Sequence, residues 1–276
     1  MSSIVVHVLI LWAVIVTAIV ALRVVRRLGL QLDALPFAGV FGFVGAAFGI
    51  VLGMTTFFAS QHYAGFRAAA QSEATSLGNV AAMSGSFAPR TGNAVRRQIY
   101  CYATDVIEQE WPHMAVDNHG LPIVEGRESA AYIDLLRVGR GDPRPANWYA
   151  NAVGSSLRAG ENRQHRLLLS QPQIPVMLWI LIYVGAALTV LFTYFFHLAS
   201  RRQLAGMMTA VIVMLTAIVA ALATLDAPTQ GPLGLQPDAM RAERRLLAEI
   251  ISPTPANPTR YCRALPTPSP RTATLG

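Results

Sequence analysis

Four sets of residues have the types and spacing from which chemistry could be built. The first is His113, Asp117 and His119, with Glu108 and Glu110 upstream. Imidazoles beside carboxylates can hold a metal ion or move protons. Ligands on one helix face, however, favour histidines four apart, and these two are six apart across a turn signal. GxSxG, HExxH and P-loop patterns are absent. The set reads as a solvated helix end and a turn, so no catalytic residue, metal ligand or cofactor is assigned.

The second set is the cysteine pair, Cys101 and Cys262, far apart and without CxxC spacing. It suggests neither a metal site nor a disulfide framework. The expectation is one half-buried helix thiol and one tail thiol. The third set is His7 and His197, the only histidines in the apolar runs described below, which otherwise offer scattered Thr and Tyr. Proton relays, voltage sensors and coupled carriers place ionisable groups at membrane depth. Both histidines fall near run ends and read as interfacial, which argues against an active proton or sodium antiporter.

The fourth set is a row of glycines, Gly45, Gly49 and Gly53, with Gly42 and Ala46 beside them. At 100° per residue the row forms a stripe about 80° wide on one helix face. Such stripes let two helix backbones approach closely in lipid. Two readings stay open: tight packing within one chain, or a self-association seam or pore lining in an oligomer. Phe37, Phe41 and Phe48 fall on the opposite face. They read first as lipid-facing bulk, and otherwise as rings of an apolar constriction.

The elements that must position these residues follow from composition. Of 276 residues, 53% are hydrophobic and 13% charged, about half the charge of an ordinary soluble domain. Four runs, 4–22, 35–58, 176–198 and 204–225, contain no Asp, Glu, Arg or Lys. Each is long enough as a helix to cross a hydrocarbon core of about 30 Å. The first run exceeds a signal-peptide core and is followed by Arg23, Arg26 and Arg27, so it is read as a retained anchor.

Short links, 23–34 and 199–203, make the runs two antiparallel hairpins, 1–58 and 176–225. The N-terminus, the long segment 59–175 and the C-terminal tail then share one side of a bacterial plasma membrane. Five arginines in the short links face seven flanking the spans on the other side (Arg67, Arg158, Arg163, Arg166, Arg241, Arg244, Arg245). The positive-inside rule therefore leaves sidedness open. All 22 basic residues are arginine, in short clusters without aromatic interleaving, so nucleic acid is excluded as a partner.

Segment 59–175 carries helical periodicity and no strand alternation, giving an all-α membrane protein with an inserted helical domain. Span two is expected to continue past the membrane through Tyr63, Phe66, Ala70, Ala74, Leu77 and Ala81. Further helices are expected around 95–106, 130–138 and 149–157, with breaks at 87–92, 117–126 and 139–145. Segment 226–251 holds a short amphipathic helix with Met240, Leu247 and Ile251 on its apolar side. The Pro-rich 252–276 reads as disordered.

The order of features resembles the bacterial bestrophin-like domain family. The likeness covers 35–247. A Gly-rich second span continues into an Ala-rich helix with Glu73 and Leu77, and Glu110-Trp111-Pro112 is similar to that family's E-W-P element. Ile174-Pro175 with Trp179, then Thr189 to Phe196, resemble its third span. Leu225-Asp226-Ala227-Pro228, Gly231 and Pro237 resemble its L-D-x-P…G…P segment, although Thr229 and Met240 stand where the family has aromatics. The likeness implies a structural role for these positions. Bestrophins proper are oligomeric anion channels with a hydrophobic neck, so it also implies a passive homo-oligomeric anion channel in the lipid bilayer. No neck residue is carried over. A non-conducting helical scaffold or sensor for a protein partner is the alternative.

Overall fold

The structure is a computed structural model that describes residues 3–27, 34–139, 146–195, 201–230, 234–251 and 258–263. Those residues form ten α-helices and no strand. Four helices are long and apolar enough to cross a membrane. They are α1 (Ser3–Arg27), α2 (Ala34–Met83), α7 (Val176–Phe195) and α8 (Arg201–Asp226). Between α2 and α7 lie α3 (Pro89–Asp105), α4 (Trp111–Asp117), α5 (Pro122–Gly139) and α6 (Ala146–Leu169). Two short helices follow α8, namely α9 (Asp238–Ile250) and α10 (Pro258–Arg263). The chain is an all-α membrane protein with four spanning helices and an inserted helical region.

The helices divide into two compact units, Met1–Tyr63 with Pro172–Gly234, and Ala64–Gln171 with Leu235–Gly276. In the first, Leu11 and Ile15 of α1 are buried against Trp179, Ile182, Ala186 and Val190 of α7 and Leu215, Val219 and Leu222 of α8. The close helix pairs are α1 with α7, α1 with α8, and α7 with α8. Residues 28–33 of the link expected to join α1 and α2 as a hairpin lie outside the described residues. Helix α2 meets the bundle through a narrow face, with Phe48 and Leu52 half-buried and Ala59 buried.

In the second unit α3 is the centre, packed on α5, α9 and α10. Its core joins Phe66, Leu77 and Val80 of α2 to Val95, Ile99, Tyr102 and Val106, and to Met240 and Leu247 of α9. Met240, Leu247 and Ile251 are all buried, as the amphipathic pattern requires. Helix α5 begins at Pro122, inside the expected break, because proline suits a first helical turn and Gly126 is accommodated within the helix.

Two expectations are corrected here. Cys101 and Cys262 are not free thiols: they form a disulfide across a sequence separation of 161 residues. Residues 258–263, inside the segment expected to be disordered, form α10, whose Tyr261 meets Tyr100 edge-on at 6.3 Å. Spacing within a chain carries no information on a bond closed by tertiary packing. The rest of 252–276 lies outside the described residues, as do Gly231 and His197.

Candidate functional site

The glycine row lies in the first unit and is open. A Cβ added at Gly42, Gly45, Gly49 or Gly53 would meet nothing within 4 Å. Among the described residues no other helix closes on it at these four positions. The same outer faces of α2 expose Phe43, Ile50, Met54, Phe57 and Phe58. Phe48 points the other way. Its ring lies where a Cβ on Gly185 of α7 would stand, 2.2 Å from the nearest ring carbon. Phe48 is thus an interhelical packing residue, and Gly185 is the small residue that admits it. The side chain of Phe41 lies outside the described residues.

Two family-like positions hold the turns of this unit. Asp226, at the end of α8, is buried and its Oδ1 accepts the backbone N–H of Gln173 and Ile174, both at 2.8 Å. It thereby fixes the approach to α7, whose first-turn N–H groups from Leu178 and Trp179 donate to the Pro175 carbonyl. Trp179 is buried and stacks on His7, ring centroids 3.8 Å apart, and His7 shares a 2.6 Å hydrogen bond with Tyr183. Pro228 is buried just beyond Asp226.

The densest polar arrangement is in the second unit. Pro112 lacks an N–H to donate to the preceding turn, and the chain widens into a π-helical turn, Val106–Glu110, just before it. That shift of register turns Glu110 inward, where it is wholly buried. Arg166 of α6 lies between two carboxylates: its Nε donates to Glu73 Oε2 at 2.6 Å and its Nη2 to Glu110 Oε1 at 2.7 Å. Arg163, one turn earlier, donates through Nη2 to Glu110 Oε2 at 2.7 Å. It also approaches Glu128 at 3.5 Å. Tyr102 of α3 donates to Glu73 Oε1 at 2.6 Å, and the Leu121 N–H donates to Glu110 Oε2 at 3.1 Å. The Arg166 guanidinium sits 5.4 Å from the Trp111 ring, whose Nε1 donates to the Leu235 carbonyl at 2.8 Å.

Two buried guanidinium groups therefore balance two buried carboxylates. Burial opposes the charge on Arg166, but Glu73 and then Glu110 outweigh it and hold its pKa above the ordinary value. Burial likewise pushes Glu110 up, while Arg166 and Arg163 pull it down further, leaving it below 4.5. Tyr102 is pushed well above 10 by burial and by the neighbouring Glu73 charge. Such a network, removed from solvent and matched in charge, ties α2, α3, α4 and α6 together.

A second buried pair stands beside the disulfide. Arg127 of α5 donates through Nε to Asp105 Oδ2 at 3.0 Å and through Nη2 to the carbonyl of Cys262. Gln109 adds a 2.7 Å hydrogen bond to Asp105. By contrast, His113 and Asp117 form an open pair at 3.6 Å on the surface. Among the described residues no group of three or more His, Cys, Asp or Glu side chains could hold a metal ion.

Sequence reasoning singled out Glu73, Glu110 and Trp111 as family-like positions in separate stretches, and read Arg163 and Arg166 only as charges flanking the spans. Their three-residue spacing on one helix face was a signal. So was the rule that buried carboxylates need matching cations.

Four long apolar helices and an inserted helical region define a helical membrane protein. The family model for the bestrophin-like domain matches residues 7–240. The chain belongs to that family. Solved structures of a bacterial bestrophin homologue from Klebsiella pneumoniae share the fold. One, carrying a leucine-to-threonine mutation, is 12% identical, with a TM-score of 0.66 over 90% of this chain and 99% of that one. Another, with an aspartate-to-alanine mutation, is 14% identical, with a TM-score of 0.67 over the same shares. A structure described as a membrane protein, with a proline-to-alanine mutation, is 13% identical, with a TM-score of 0.67 over 90% and 98%. No curated protein matches the sequence.

Proposed function

We propose that this protein is a passive anion channel of the bacterial plasma membrane, formed by several copies of the chain with α2 nearest the common axis. The observation that carries this reading is the unfilled glycine row on α2, beside exposed Phe43, Ile50 and Met54. A neighbouring copy is the occupant argued for, because glycine stripes associate helices through backbone approach rather than through bulk. The spans contain no Asp, Glu, Arg or Lys between 35 and 58. A pore built from α2 would then be an apolar neck that controls flow by wetting. Family membership supports the same reading. No catalytic role is assigned to any residue.

The test is chloride efflux from liposomes containing the purified full chain, alongside native mass spectrometry of the same preparation. The expected result is an oligomer that releases chloride faster than protein-free liposomes. A monomer that releases none sinks the channel reading and leaves a helical scaffold as the remaining one.

A further inference from the structure

The cysteine pair bears on a question that the arginine distribution leaves open, namely which side of the membrane the helical unit occupies. Cys101 is fully buried and Cys262 is 1% exposed, and they are joined. Around the bond, Arg127 donates to the Cys262 carbonyl and is itself paired with Asp105, and Tyr261 lies against Tyr100. We propose that this disulfide is a permanent staple made on the oxidising side of the membrane. The helical unit and the C-terminal segment then face away from the cytoplasm, and the two short arginine-bearing links face into it.

Burial decides between a staple and a switch. Labile, regulatory disulfides are exposed or strained, whereas this one is shielded by the helix it anchors. A reductant reaches it only after α10 has left α3, so the bond must close during folding, in a compartment that oxidises thiols. Cytosolic thiols are kept reduced, and disulfides persist outside the cytoplasm. Closure is a two-electron exchange. One cysteine thiolate attacks the disulfide of a dithiol oxidase, giving a mixed disulfide and releasing one oxidase thiolate. The second cysteine thiolate then attacks the bound protein sulfur, forming Cys101–Cys262 and releasing the oxidase as a dithiol. The two cysteine protons are taken up by the two oxidase thiolates, so no net proton is released.

The arginines are compatible with this side once loop length is considered. The segment 59–175 is a long one, and long segments translocate largely regardless of their charge. The short links carry five arginines, Arg23, Arg26, Arg27, Arg201 and Arg202. Positive charge on short links marks the cytoplasmic side.

The inference is independent of conduction and is tested on the full chain in cells. Acid-quenched membranes are denatured and treated with a mass-tagged maleimide, with and without prior reduction. The expected result is no added tag without reduction and two tags after it. Sidedness is read by adding one cysteine to the otherwise native chain, at exposed Val116 (V116C) or in the second short link (Q203C), and labelling spheroplasts with a membrane-impermeant maleimide. V116C is expected to label in intact spheroplasts and Q203C only after lysis. Two tags without reduction, or labelling of V116C only after lysis, overturns the proposal.

Discussion

Arg166 shows how a single side chain can hold three helices and the π-helical turn between α3 and α4. It binds Glu73 of α2 and Glu110, lies over Trp111, and is itself on α6. Removing it leaves two buried carboxylates short of a cation. Replacing Arg166 by Met is therefore expected to cost about 3–5 kcal/mol, read as a lowered denaturation midpoint of the detergent-solubilised protein. A midpoint unchanged from wild type would mean the network is not formed. Glu110 gives the matching pH dependence. Its native pKa lies below 4.5, so its stabilising contribution is complete above that value and is lost as pH falls through the lowered one. The stability gap between wild type and Glu110→Gln should thus be constant near neutrality and shrink on acidification below about 4.5. A gap independent of pH contradicts the assignment. Asp226 acts at the other polar junction. Its replacement by Ala strands the N–H groups of Gln173 and Ile174, at about 1–3 kcal/mol, and should lower thermal stability by that measure.

At the scale of elements, two glycines on facing sides of the bundle make opposite predictions. Gly49 has open space around it, so Gly49→Leu should leave the protomer's melting temperature near wild type while weakening assembly or conduction. Gly185 is filled by the Phe48 ring, so Gly185→Leu should lower the melting temperature of the protomer itself. Equal effects of both on melting would show that the row on α2 is packed within the chain. Much of this level was legible beforehand. Uncharged length gives the spans, three- and four-residue apolar steps carry α2 past Ala81, and Met240, Leu247 and Ile251 mark α9. What was not legible has one cause, since contacts closed by tertiary packing leave no local pattern. Cys101 with Cys262, Arg163 with Glu110 and the choice of α7 and α8 as neighbours of α1 all belong to that kind. The early start of α5 is the exception. Pro122 announced it, and the Gly-Pro cluster around it was read as loop instead.

For the whole molecule, the family and the fold agree on a bestrophin-like membrane protein, and the open face of α2 argues for several copies around an apolar neck. The glycine row was legible as a small-residue stripe, but not whether it packs within the chain or between chains. The open space beside each Cβ position supports the second reading. The most direct measurement is the reversal potential of the purified full chain in a planar bilayer under a KCl gradient. A channel of the proposed kind passes current that reverses near the chloride equilibrium potential, and Gly49→Leu reduces that current. Absence of current, or reversal near the potassium potential, contradicts the account.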